Sequence, residues 1–176
     1  MPKRSQYKYV YFVEGKCEEK LVNILKQNMK LIQAGKVYCI NPVQTELKLT
    51  HLRTISSNTI AVLIFDTDVK KQSSIEMLQK NIRLLEKMPY VKEVLCIPQC
   101  ECFEDEIVHC TNMEDICTMF GLTSKREFKV KFLSVHEDNI VGKLKEYQFQ
   151  INELWNGTPN DVFKDIENKS YKIKIK

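Results

Sequence analysis

Glu14, Asp66 and Asp68 are the residues of this chain best placed to do chemistry. Glu14 closes the apolar run in YKYVYFVEGKCEEK, and Asp66 and Asp68 end TIAVLIFDTDVK, which holds the longest apolar run of the sequence. A near-continuous apolar run reads as a strand buried on both faces, the kind found in a helix-covered parallel sheet. In such sheets ligands sit beyond the carboxyl ends of the strands, where these three carboxylates fall. Converging carboxylates repel one another unless a cation neutralises them, so the pattern points to a divalent-metal site. Asp66 and Asp68 lie two apart and face the same side of an extended backbone. Both can approach one hard cation, directly or through water. Magnesium suits such an all-oxygen set and retains several waters.

Glu18 adds an independent clue. At about 100° per residue it falls within the apolar arc of Leu21, Leu25, Met29 and Ile32, whereas Glu19 falls outside it. Complementing a helix dipole explains Glu19 well and Glu18 less well. An inward-facing carboxylate needs a partner, and the same metal cluster would supply one.

The elements that must position these groups alternate. Strands are expected at 7–13, 37–40, 60–65 and 91–97, with a helix from about 17 to 32 between the first two. A second helix carries the stripe Ile75, Leu78, Ile82 and Leu85 and starts at a capping box, Ser73-Ser74-Ile75-Glu76. Residues 46–57 read either as a short helix or as an extended connection. Beyond residue 99 the pattern suggests one or two short helices stopped at Gly121, then a helix over 137–154. The closing NKSYKIKIK reads as an exposed edge strand or a frayed tail, whose removal the fold should tolerate. The expectation is an α/β fold with a mainly parallel sheet flanked by helices and right-handed crossovers. Residues 1–98 would form its core, and 99–176 a mostly helical extension packed on the same domain.

Bulk properties allow this reading and add little. At 176 residues, 43% hydrophobic and 28% charged, the chain is large enough for a real core. No stretch approaches the roughly 20 apolar residues of a membrane span, and MPKRSQYKY lacks the apolar centre of a signal peptide. Seven cysteines, an odd number, read as reduced thiols of a cytoplasmic protein. A net charge of +4 is compatible with nucleic acid without being evidence for it.

FVEG with a second acid at Glu18, followed about fifty residues later by a strand ending in Asp-x-Asp, resembles the Toprim domain of type IA topoisomerases, bacterial primases, ribosomal-RNA maturation nucleases and OLD-type nucleases. The resemblance covers about residues 7–98 and implies a Rossmann-like Toprim fold. It implies that Glu14 is a general acid/base or metal ligand and that Asp66 and Asp68 bind magnesium. The E-G-x-x-E form places Glu18 beside them, closer to the OLD nucleases than to topoisomerases. Cys102-Phe103-Glu104 followed by His109 is similar to a motif of RloB-like proteins, small Toprim relatives tied to phage defence. Here the tryptophan expected after the glutamate is missing. That similarity implies a further metal ligand at Glu104 or Asp105; an acidic solvated helix face is the competing reading. The chain lacks the tyrosine-bearing domain of a topoisomerase and the zinc domain of a primase. OLD-type nucleases also use a late lysine near the metal, for which Lys129 and Lys131 are the candidates.

Other constellations carry less. Cys100, Cys102, His109, Cys110 and Cys117 lack the paired spacing of a zinc site, and buried neutral thiols fit them better. Glu14-Gly15-Lys16 lacks the upstream glycine of a phosphate-binding loop. FDTDVK lacks the Gly-Thr that follows the aspartates of haloacid-dehalogenase phosphatases. The basic residues Lys125 and Arg126, with Lys172 and Lys174 in the tail, are candidates for nucleic-acid phosphates or simply a solvated face. The sequence therefore reads as a magnesium-dependent Toprim-type nuclease on DNA or RNA, with manganese as a substitute ion and no organic cofactor. The alternatives are a non-catalytic module binding nucleic acid or a partner ATPase, and a metal-dependent phosphatase. No membrane is expected among its partners.

Overall fold

The two longest apolar runs become the inner strands of a sheet. The computed structural model describes residues 7–53, 55–68, 71–157 and 162–175. β1 (Lys8–Val13), β2 (Gly35–Cys39), β3 (Thr59–Phe65) and β4 (Val91–Pro98) form one all-parallel sheet in the order β2-β1-β3-β4. Every residue of β3 is buried, as expected of a strand covered on both faces. Around the sheet lie α1 (Lys16–Gln27), α2 (Gln72–Glu86), α3 (Phe103–His109), α4 (Lys125–Ser134) and α5 (Glu137–Glu146), with short 3-10 turns at Ile116–Phe120 and Ser170–Lys172.

Strand alternation divides the core in two. Tyr9, Tyr11 and Val13 point to the face covered by α1 and by the helices after residue 103. Val10 and Phe12 point to the face covered by α2, by Val43, Leu47, Leu52 and Ile55, and by Phe163. From β1 the chain crosses by α1 to β2 on one side, and from β3 by α2 to β4 on the other. The direction of winding therefore reverses between β1 and β3, which is the topological switch point where α/β sheets open a crevice for ligands.

Several expectations need correction. α1 stops at Gln27 rather than near residue 32, because Lys30 turns into the left-handed region (φ 57°) and the Leu31 N–H reaches back to the Leu25 carbonyl. This ends the helix as a C-terminal αL turn does. The serine capping box does not form: α2 begins at Gln72 after Lys71, with no side-chain cap. Within the α2 stripe, Ile75, Leu78 and Leu85 are buried, and so is Asn81. Asn81 accepts the Leu47 N–H and donates to the carbonyls of Pro42 and Thr45. The described residues of 46–57 are thus neither helix nor strand, but turns and irregular chain pinned to α2 by one buried amide.

α4 is an element that the sequence pattern does not announce. In KREFKVKFLS only Phe128 and Phe132 are buried, while Val130 and Leu133 are exposed, so apolar and charged residues alternate in a way that hides the helical period. α5 ends at Glu146, short of residue 154; Gln148 is left-handed (φ 56°) and the chain continues as turns. The described part of the tail is not frayed, and its strand character is limited to one antiparallel bridge between Ile32 and Lys174. Ile173 is fully buried, its carbonyl accepts the Gln33 N–H, and the Ile175 N–H donates to Leu31.

Candidate functional site

Glu14 is the first residue beyond β1, and Gly15 is the cap residue of α1. A Cβ at Gly15 would stand 2.9 Å from Glu18 Oε2, so the glycine leaves room for the Glu18 carboxyl over the helix start. Glu18 is 7% exposed, as its place in the apolar arc predicts. Across the switch point, Glu14 Oε2 accepts the Asp66 backbone N–H at 3.1 Å and is also hydrogen-bonded by the side chain of Asn41. Asp66 follows β3 directly and is partly buried; Asp68 is exposed, with buried Thr67 between them.

The loop after β4 braces this turn. The Glu101 carbonyl accepts the N–H groups of Thr67 and Asp68 at 2.8 and 3.1 Å. The Thr67 hydroxyl donates to the Gln99 carbonyl at 2.8 Å, and the Gln99 side-chain amide donates to Asp66 Oδ1. α3 then supplies Glu104, which is 1% exposed. Its Oε1 pairs with the Lys129 ammonium of α4 at 3.0 Å and has no hydrogen bond beyond that contact. Asp105 points elsewhere, accepting from Cys102 and from Lys125.

The electrostatics register the crowding. Burial, followed by the charges of Glu14 and Glu18, pushes the Asp66 carboxyl up to about 8. Burial also raises Glu14; the Asp66 N–H opposes this and the charge of Asp68 adds to it. Glu18 is raised by burial, then by Glu14 and Glu104, with its own backbone and Lys129 opposing. Burial works against the Lys129 ammonium, yet Glu104 and Glu18 hold it above its ordinary value. Glu14, Glu18, Asp66, Asp68, Glu104 and Lys129 therefore form one electrostatic neighbourhood.

Among the described residues no three His, Cys, Asp or Glu side chains stand in a ready ligating arrangement. The donor set fits a hard cation all the same. It consists of carboxylate oxygens, it carries more negative charge than one lysine offsets, and several of its members are raised first by burial and then by one another's charge. A divalent ion prefers such a set. Glu14, Glu18, Asp66 and Asp68, with Glu104 behind them, are the side chains that would hold one.

The remaining candidates are not brought together. Lys131 lies on another face of α4 from Lys129, beside Phe120, Val135 and Asp138. Lys125 is paired with Asp105 at 2.9 Å, and Arg126 sits beside Leu122 and Val130. Lys172 pairs with Glu93, which aligns with Ile60 at the start of β3, at the opposite end of the sheet from Asp66. Lys174 donates to the carbonyls of Asn152 and Leu154, so these two tail lysines are spent on intramolecular contacts. The seven cysteines are all free thiols, and burial raises Cys96 and Cys102 to about 12, keeping them neutral. Sequence reasoning passes over Asn41 and Gln99. Both are neutral amides, and their one signal is position, just beyond the ends of β2 and β4.

No family model, curated protein or solved structure matches this chain. Among the described residues no helix is long and apolar enough to cross a membrane.

Proposed function

We propose that this protein is a Toprim-type, magnesium-dependent phosphodiesterase that cleaves DNA or RNA. The observation that carries the reading is the set of carboxylates at the β1–β3 switch point, with Asp66 driven up to about 8 by burial and by Glu14 and Glu18. Strongly perturbed carboxylates cluster at functional sites. Glu14, Asp66 and Asp68 would hold the cation, with Glu18 and Glu104 in support. Bound magnesium supplies an activated water and charge stabilisation for the leaving oxygen. Glu14, raised by burial and open at the crevice, is the group suited to move a proton. Lys129 carries the positive charge that would offset charge developing on a scissile phosphate. The phage-defence setting and the ATPase partner rest on the sequence resemblance alone.

A non-catalytic module that engages nucleic acid is favoured by a different observation: Glu104 is already paired with Lys129. Incubating purified protein with Mg2+ or Mn2+ and DNA, RNA or small phosphoesters separates the readings. The nuclease reading predicts cation-dependent cleavage of a nucleic acid that Glu14→Gln abolishes, because the amide cannot shuttle a proton. Cation-dependent binding without cleavage supports the module, and hydrolysis of small phosphoesters alone supports a phosphatase.

A further inference from the structure

Gln99 is buried, and every polar group it has is engaged. Its backbone N–H donates to Phe65 and its carbonyl accepts the Thr67 hydroxyl. Its side-chain Oε1 accepts the Trp155 indole N–H at 3.3 Å. The indole nitrogen can only donate, so this contact fixes which way the amide points: oxygen towards Trp155, nitrogen towards Asp66 Oδ1. Trp155 is itself clamped. It holds a left-handed backbone (φ 56°), rare for a bulky side chain and kept only where the surroundings over-determine it. Its N–H donates to Glu106 Oε1, and its carbonyl accepts from Asn168 and from Ser170, both at 2.8 Å. Glu106, fully buried, also accepts the Cys100 N–H.

From this network we infer that Gln99 is a positioning residue for the cation site: locked by the indole of Trp155, it holds Asp66 in one orientation and leaves the other carboxylate oxygen for the ion. Outer hydrogen bonds of this kind set ligand orientation, and their loss weakens metal affinity by roughly 10–100-fold. The same chain of contacts links occupancy at Asp66 to the single tryptophan of the sequence, which makes Trp155 a reporter of the site. This inference rests on the cation site proposed above.

The test is a Mg2+ titration of the full chain, followed by calorimetry and by Trp155 emission. Wild-type protein is expected to bind Mg2+ with an emission change over the same concentration range. Gln99→Met, similar in size but unable to donate, is expected to bind at least about tenfold more weakly and to lose the emission response, with its circular dichroism unchanged. Should that variant not fold, Trp155→Phe removes the indole N–H together with the five-membered ring that carries it and is expected to weaken binding several-fold by calorimetry. Wild-type affinity in either folded variant overturns the positioning role and leaves the cation site standing. Absence of Mg2+ binding by the wild type overturns the site itself and this role with it.

Discussion

Replacing Asp66 by asparagine should stabilise the cation-free protein, by an amount that grows with pH. The folded-state carboxyl is raised from 3.8 to about 8 by burial and by Glu14 and Glu18. Between those values the folded chain keeps a proton that the unfolded chain releases, so stability falls as pH rises through the window. With one pKa unit worth about 1.4 kcal/mol, the upper bound on this cost is about 1.5 kcal/mol at pH 5 and about 4 kcal/mol at pH 7. Asp66→Asn removes the charge and keeps an oxygen for the Gln99 amide, so it should recover part of that cost. For a chain of this length the gain at pH 7 corresponds to at most roughly 10 °C in melting temperature. Urea unfolding in EDTA at pH 5, 6 and 7 measures the difference, and added Mg2+ should stabilise the wild type alone. A gap between variant and wild type that is flat with pH, or a variant less stable at pH 7, would refute the argument that Asp66 is held against its charge.

Lys129→Met should destabilise the cation-free protein by about 1–3 kcal/mol, because it strands the buried Glu104 carboxyl; the half-exposed lysine keeps the figure below that of a fully buried pair. Glu104→Gln added to it should restore most of the loss in urea unfolding, and a double variant no better than the single one contradicts the pairing. Removing residues 169–176 should cost at least about 3 kcal/mol, since it deletes fully buried Ile173 and the hydrogen bonds to Gln33, Leu31 and Cys96. A truncated chain with unchanged thermal stability would return the tail to the frayed state that its sequence suggests.

The inner strands were legible because burial on both faces leaves an apolar run in any sequence, and the carboxylates that end those runs stand out by contrast. Glu18 was legible for the same reason, as an acid inside an apolar arc. What stayed hidden depends on contacts between distant segments. α4 is stabilised by Phe128 and Phe132 packing on Phe103, a tertiary contact that overrides its strand-like alternation. The tail looked solvated because its lysines punctuate it, yet the burial of Ile173 is decided by residues 31–33, far off in sequence. Gln99 and Asn41 carry no charge and fit no motif, so only their partners in space reveal them.

The central claim is that the carboxylates at the β1–β3 switch point bind a divalent cation. Crystals soaked in Mn2+, with data collected at the manganese absorption edge, test it directly. The account predicts an anomalous peak between Glu14, Asp66 and Asp68 in the wild type that is lost in Asp66→Asn crystals. A fully occupied peak elsewhere, or none at the switch point at saturating Mn2+ and pH 8, would contradict it.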